Sequence, residues 1–139
     1  MENLLNWINV GVAVIGGVIS WFFGEIDGLL YTLVAFVVVD YFTGVLRAIV
    51  EKNLSSSLGA KGISKKVIVF LLVGIANLLD TEIFKADSVL RSAVIFFYIA
   101  NEGISIFENS AFLGLPVPEK IKDALLSLKS AKEDGKSDR

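Results

Sequence analysis

Charged side chains interrupt all but the first of the apolar stretches of the chain. Asp40 and Arg47 lie in VVVDYFTGVLR (residues 37–47), and Glu102 lies in a later apolar block. An ionisable side chain is expensive inside hydrocarbon, so it pairs with an opposite charge, handles a cation or proton, or faces protein or water. These side chains could therefore support ion pairing, cation binding or proton relay within a membrane.

Helical spacing extends these charges into two polar stripes, each on one face of a helix. The first stripe, with one flanking residue, consists of Asp40, Gly44, Arg47, Glu51 and Thr43. The second stripe, with two flanking residues, consists of Tyr98, Glu102, Ser105, Asn109, Asn101 and Glu108. We expect both stripes to face a bundle interior, an oligomer interface or the lumen of a pore.

The two stripes suggest a specific ion pair. Counting about 1.5 Å per helical residue from the start of each apolar block places Glu102 at a depth between Asp40 and Arg47. The hypothesis is an Arg47–Glu102 pair, within or between subunits, which a double charge swap would test. The alternative is that Arg47 pairs with Glu51, four residues on, at the end of its span.

These residues belong to four apolar blocks, at about residues 8–23, 29–50, 67–84 and 89–107. Of the 139 residues, 54% are hydrophobic, above the roughly 45–50% of ordinary soluble domains. We therefore predict an all-α membrane protein with three to four transmembrane helices. The first block is slightly shorter than the ~20 residues that cross a bilayer, so whether it spans stays open.

The basic residues predict the orientation, because lysine and arginine near span ends favour the cytoplasm. A predicted cytoplasmic loop after the second block carries Lys52, Lys61, Lys65 and Lys66. The tail is also basic, so we expect a multi-pass protein with a cytoplasmic C-terminus. Residues 1–112 would form the transmembrane domain, and residues 113–139 a short amphipathic cytoplasmic helix followed by a charged tail.

Composition removes several classes of function. The chain has no cysteine and no histidine, so thiol chemistry and the commonest metal ligands are missing, and we expect no enzyme, metal or cofactor. The formal net charge of −2 offers no field that would attract nucleic acid. One packing motif remains: Gly16, Ser20 and Gly24 are small residues four apart, which predicts close helix contact.

Four segments in order are typical of one family. DYFTGVLRA (40–48), SSSLGAKGISKK (55–66), NEGISIFEN (101–109) and GLPVPEKIKDAL (114–125) resemble the phage lysis and toxin-secretion holins of Gram-positive phages and clostridia. The resemblance covers roughly residues 28–128. It marks the Asp40 to Arg47, Ser55 to Lys66 and Asn101 to Asn109 segments as the matching parts.

The resemblance implies a small non-enzymatic protein of the bacterial cytoplasmic membrane. Such proteins accumulate and oligomerise in the bilayer, then form lesions that depolarise it and release an endolysin or a toxin. We expect no stable binding to that cargo. Met1 is the only methionine, so an inhibitory form from an internal AUG is excluded and any antiholin would be a separate chain.

The residues alone leave two other functions open. In a small ion channel or transporter, Asp40 and Glu102 would bind a cation or relay protons. In a membrane scaffold, the basic loop and the C-terminal helix would recruit a cytoplasmic partner, and the spans would serve only as an anchor.

Overall fold

A computed structural model of the chain describes residues 1–121, 123 and 124, and these residues contain long helices and no strand. The helices are α1 (Glu2–Phe23), α2 (Gly28–Val50), α3 (Ser56–Leu78, continued by a π-helical turn, Leu79–Phe84) and α4 (Val89–Phe112). All four are long and apolar enough to cross a membrane. The protein is therefore a multi-pass helical membrane protein, as predicted.

Two helices begin earlier in the structure than the sequence predicts. The first was expected from residue 8 but begins at Glu2, and its 22 residues reach the length of a span. The third was expected from residue 67 but begins at Ser56, because Ser55 caps it by accepting a 3.2 Å hydrogen bond from the Leu58 amide. Hydropathy detects the apolar part of a helix, whereas the helix itself continues through polar residues.

The predicted basic loop is therefore mostly helix. Lys61, Lys65 and Lys66 lie within α3, and Lys52 alone lies in the short connection, where its φ is 55°. The predicted C-terminal amphipathic helix begins in the described part of the chain, since residues 119–121, 123 and 124 are helical. Its remaining residues lie outside the described residues.

Helices α2, α3 and α4 share one apolar core. Leu33 and Val37 of α2, Val73 of α3 and Ile95 of α4 are buried against one another. The large apolar side chains on the outside of the helices are exposed, as expected where lipid replaces water as the surrounding medium.

Helix α1 is attached to this unit only near its end. None of its residues is buried, and the Phe22 ring packs where α3 has Gly74, so that a Cβ on Gly74 would overlap the ring. Trp7 and Trp21 lie near the two ends of α1 and are exposed, at positions where tryptophan commonly meets the membrane interface.

Candidate functional site

Three charged side chains meet between α2, α3 and α4: Asp40, Lys66 and Glu102, the Lys66 triad. The Lys66 ammonium donates to Asp40 Oδ2 and to Glu102 Oε2. The three side chains are 9%, 18% and 4% exposed for Asp40, Lys66 and Glu102. Each residue lies about ten residues, or roughly 15 Å, from the end of its helix on the same side of the bundle, so the triad occupies a single depth.

Asn109 and Thr43 complete the contacts of Asp40. Asn109 Nδ2 donates to Asp40 Oδ1 at 3.4 Å and to Thr43 Oγ1 at 3.1 Å, and Thr43 in turn donates to the Asp40 carbonyl. Asp40 thus receives hydrogen bonds from α3 and from α4. Within the described residues no buried side-chain nitrogen or oxygen lacks a partner, which is the usual condition of buried polar groups.

The triad carries an excess of negative groups. Two carboxylates face one ammonium, and removing one member of such a buried set leaves an uncompensated charge, whereas replacing the whole set with apolar residues is often tolerated. The geometry therefore links three helices in one closed arrangement. When those helices separate, the same side chains require water or another partner.

A cleft of about 550 Å³ leads to the triad from the side of the bundle at which α2 ends and α3 begins. On α3 its wall includes Gly59 and Gly62, against which the Tyr41 side chain lies, with a Cβ on Gly62 coming 3.4 Å from Tyr41 Cε2. A Cβ at either glycine would be in ordinary van der Waals contact with Tyr41, so the tyrosine side chain lies close against the α3 backbone here. The space is polar at its base and reaches charges at the depth of the membrane.

The structure places most of the predicted polar stripe residues together. Asp40, Glu102 and Asn109 form the hydrogen-bonded network with Thr43, and the residues that line the adjoining cleft include Gly44, Tyr98, Asn101 and Ser105. A Cβ on Gly44 would lie 3.7 Å from Asn109 Nδ2, so α2 and α4 approach closely at this point. The stripes thus face each other within one chain.

The predicted Arg47–Glu102 pair is wrong within a single chain. Arg47 Nε donates to Glu51 Oε1 at 3.3 Å, and the guanidinium carbon lies 4.4 Å from the centroid of the Phe112 ring. Lys66, which the sequence assigned to a cytoplasmic loop, occupies the position opposite Glu102 instead. The alternative, an Arg47–Glu51 pair four residues apart, is the one found.

Most of the remaining predicted positions do not join this site. Lys65 is exposed on α3 at the edge of the cleft, whereas Lys61 is exposed elsewhere on α3 and Lys52 is exposed beyond α2. Gly16 and Ser20 are exposed on α1, and no atom lies within 4 Å of a Cβ on Gly16, so among the described residues Gly16 makes no close helix contact. Gly24 lies beyond the end of α1 with φ 78°, a conformation that favours glycine.

Sequence reasoning missed a second buried charge network, at the opposite end of the bundle. This Arg91 cluster consists of Asp27, Asn77, Asp80 and Arg91. Arg91 is 1% exposed and donates to the Phe23 carbonyl at 2.6 Å, the Glu25 carbonyl at 2.5 Å and Asp27 Oδ2 at 2.9 Å. The hydrogen bond from Arg91 holds the pKa of Asp27 below its ordinary value, against a smaller opposing effect of burial.

The Arg91 cluster satisfies helix ends that would otherwise lack partners. Asn77 Nδ2 donates to the Trp21 and Phe22 carbonyls at 3.2 Å each, in the last turn of α1. Asp80 accepts from the Leu90 amide at 3.1 Å and the Arg91 amide at 2.8 Å, at the start of α4. Because terminal carbonyls and amides have no partner within their own helix, this network fixes α1, α3 and α4 to one another.

Helical periodicity contained signals for both missed groups. Lys66, Val69, Val73 and Asn77 recur at i, i+3, i+7 and i+11, so the buried face of the third apolar block extends backwards to Lys66. Arg91 and Glu102 are eleven residues apart and lie on one face of α4 with the buried Ile95. Each polar residue could have been assigned to the interior from the apolar residues in line with it.

Comparison with known proteins identifies the family. The sequence profile of the bacteriophage holin family matches residues 17–130. The chain belongs to the bacteriophage holin family. A probable holin of Bacillus phage phi105 is 40% identical over 111 residues, which cover 80% of this chain and 81% of that protein.

Bacterial genomes encode further relatives of this family member. An uncharacterized 14.9 kDa protein in the nagH 3′ region of Clostridium perfringens is 42% identical over 132 residues, covering 95% of this chain and 100% of the relative. An uncharacterized protein of Listeria innocua is 42% identical over 134 residues, covering 95% of each chain. No solved structure matches the chain.

Proposed function

We propose that this holin family member accumulates in the bacterial cytoplasmic membrane, oligomerises, and then forms lesions that depolarise the membrane and release a cytoplasmic endolysin or a toxin. It acts without catalysis, and its C-terminus faces the cytoplasm. Residues 1–112 form the membrane domain, and residues 113–139 form a cytoplasmic appendage. The cargo passes through the lesion without a stable complex.

The observation that carries this proposal is the closed Lys66 triad. The outer surfaces of α2, α3 and α4 are apolar over much of their length, while their charges face one another across the interior. A chain of this kind is compatible with lipid as long as the triad stays closed. The same side chains could line a wet lesion once the helices of several copies have rearranged.

The polar cleft supplies the rest of the wet surface. Tyr98 and Ser105 line it on α4 in line with Glu102, Asn101 lies beside them, and none of the three has a side-chain hydrogen bond within the described residues. These groups are ready to bind water at a lesion wall without first losing a partner. By contrast, the lipid-facing surface of α2 includes Val38, Phe42 and Ile49 and would stay against lipid.

The test is inducible expression in a bacterium, with and without a cytoplasmic endolysin that lacks its own export signal. Optical density and membrane potential are followed together. We expect a silent delay, an abrupt loss of potential, and lysis only when the endolysin is present. Potential that falls without any release of the endolysin would contradict the proposal.

One observation favours a second function, a small ion channel or transporter. The cleft gives a path for a cation to the carboxylates of Asp40 and Glu102. In that case the same experiment would show a gradual, ion-selective leak at expression levels that do not kill the cells. The endolysin would remain in the cytoplasm.

A further inference from the structure

Helix α1 carries polar side chains that its own chain leaves uncovered. Glu2, Asn6 and Asn9 recur at i, i+4 and i+7, on one face of the helix, and all three are exposed. Within the described residues neither asparagine side chain makes a hydrogen bond. An unpaired amide is costly in hydrocarbon, so a spanning α1 requires a polar partner along this face.

The polar cleft is lined by several side chains that form no hydrogen bond within the described residues. Tyr41, Tyr98, Asn101 and Ser105 line it, and their side chains have no hydrogen-bond partner among the described residues. Lys65 at its edge is exposed and forms no ion pair in the described part of the chain. The cleft therefore offers donors and acceptors of the kind that asparagine side chains bind.

The two surfaces lie at matching depths. Because the Arg91 cluster holds the end of α1 beside the start of α4, a spanning α1 begins at the membrane face where α4 ends. Asn9 is seven residues from the start of α1 and Ser105 is seven residues from the end of α4, so each lies roughly 10 Å from that face. The amides of α1 and the polar wall of the cleft are thus at the same level.

Charge adds a second match. Glu2 at the start of α1 is exposed, and so is Lys61, about 7 Å into α3 from the same face. Neither side chain forms an ion pair within the described residues. The α1 face thus carries a carboxylate and two amides, whereas the α3 edge of the cleft carries lysines.

We propose that the polar face of α1 of one copy docks in the polar cleft of a second copy, with Asn9 against Ser105 and Glu2 toward Lys61. This inference rests on the oligomerisation proposed above and names the surfaces that carry it. Each copy offers one α1 face and one cleft, so association can continue beyond two chains when the exchange is not reciprocal. The occupied cleft also places α1 of the second copy next to the Lys66 triad.

Disulfide trapping tests the contact, because the chain has no cysteine of its own. Asn9→Cys is placed in one chain and Ser105→Cys in a second chain that carries a larger tag, and the two are co-expressed and oxidised in membranes before lysis. A disulfide requires Cβ atoms roughly 4 Å apart, so only a close contact between copies gives the heterodimer. We expect the band to shift from the monomer masses to the heterodimer mass.

The matched control is Gly11→Cys with the same Ser105→Cys partner. Gly11 lies about 200° around α1 from Asn9 and roughly 3 Å along it, and no atom lies within 4 Å of a Cβ there. This pair should stay at the monomer masses. Equal amounts of heterodimer from Asn9→Cys and Gly11→Cys would overturn the docking.

A second pair protects the test against a misfolded variant. Ala13 and Asn101 are each eleven residues from the corresponding helix ends, so Ala13→Cys with Asn101→Cys should form the heterodimer as well. An amine-reactive cross-linker applied to the unsubstituted chain separates the two proposals. If oligomers are cross-linked but neither heterodimer forms, only the α1 docking is contradicted. If no oligomers are cross-linked, both the proposed assembly and this inference are contradicted.

Discussion

The Arg91 cluster and the Lys66 triad both bury charge between helices, but their partners differ. Arg91 donates to two backbone carbonyls as well as to Asp27, and its cluster satisfies helix ends that have no other partner. Lys66 donates only to two side chains, beside a cleft of about 550 Å³. Side chains can exchange partners by rotating, whereas helix-end carbonyls and amides move only with the backbone. The end of the bundle at the Arg91 cluster is therefore fixed, whereas the end at the Lys66 triad can open.

The largest effect should follow removal of the fixed end. Arg91→Met leaves Asp27 and the carbonyls of Phe23 and Glu25 without their donor, and breaking a buried pair typically costs about 3–5 kcal/mol. We expect low accumulation in the membrane fraction and a lower unfolding temperature in detergent. Arg47→Met is the matched control, because the Arg47–Glu51 pair is more than a third exposed and such pairs contribute about 0–1 kcal/mol. Equal losses in the two variants would contradict the distinction between the ends.

Substitutions in the triad should affect stability and function differently. Lys66→Met leaves Asp40 and Glu102 facing each other, and losing hydrogen bonds to charged groups costs about 1.5–3 kcal/mol. The triple variant Asp40→Leu, Lys66→Met, Glu102→Leu should recover the unfolding temperature, because an apolar replacement of a whole buried charge set is often neutral or better. We nevertheless expect this triple variant to fail in the endolysin-release assay.

A smaller change to the triad checks the same point. Asp40→Leu alone should still insert into the membrane, since it removes an intramembrane charge, yet lyse cells late or not at all. Quantitative blots and the lysis time together measure this. Normal timing with normal accumulation would remove Asp40 from the mechanism.

The attachment of α1 gives an intermediate effect. Gly74→Ala forces the Phe22 ring to move, and overpacking of this kind costs about 1–3 kcal/mol. Gly11→Ala is the control, because open space surrounds that position and alanine favours a helix. Protease protection of an N-terminal tag would report the loss of the α1 attachment. An unchanged protection pattern in Gly74→Ala would show that Phe22 does not hold α1.

The smallest effect concerns acid. The pKa of Asp27 is below its ordinary value when folded, so its contribution to stability is complete above the unfolded value of about 4 and is lost as pH falls through the folded value. The contribution of Asp27 to the unfolding temperature in detergent should therefore not change with pH near pH 7. Below about pH 4 the unfolding temperature should fall. Asp27→Asn should lower the temperature at neutral pH and weaken this acid dependence. If Asp27→Asn kept the full acid dependence, other carboxyl groups would be responsible for it.

Residue patterns alone were sufficient for the fold class and the approximate positions of the spans. Long apolar blocks predict membrane helices because every backbone polar group must be satisfied within the bilayer. Residue counting also brought Asp40 and Glu102 to similar depths, and the structure joins them through Lys66. The depth of a residue follows from its number along a helix.

The partner of each charge was harder to predict. Depth leaves the direction of a side chain around the helix open, and in the structure Arg47 pairs with Glu51 on its own helix whereas Lys66 of α3 pairs with Glu102. Lys66 was assigned to a loop because it ends the polar, lysine-containing segment of residues 51–66, and the polarity of that segment does not show that the helix has already begun at Ser56. The Arg91 cluster depends on carbonyls freed at the end of α1, and the sequence does not show which side chain will reach them.

The length of α3 has a consequence for the bilayer itself. With its π-helical turn it runs without a break over 29 residues, about 43 Å, whereas α1 has 22 residues and α2 has 23. The hydrocarbon core is about 30 Å thick, so α3 must tilt, or carry its lysine-rich start into the headgroups. Of the four spans, α3 is therefore the one whose helix most exceeds the hydrocarbon core in length, and it also carries Lys66. Bilayer thickness thus acts most strongly on the helix that supplies the central ammonium of the triad.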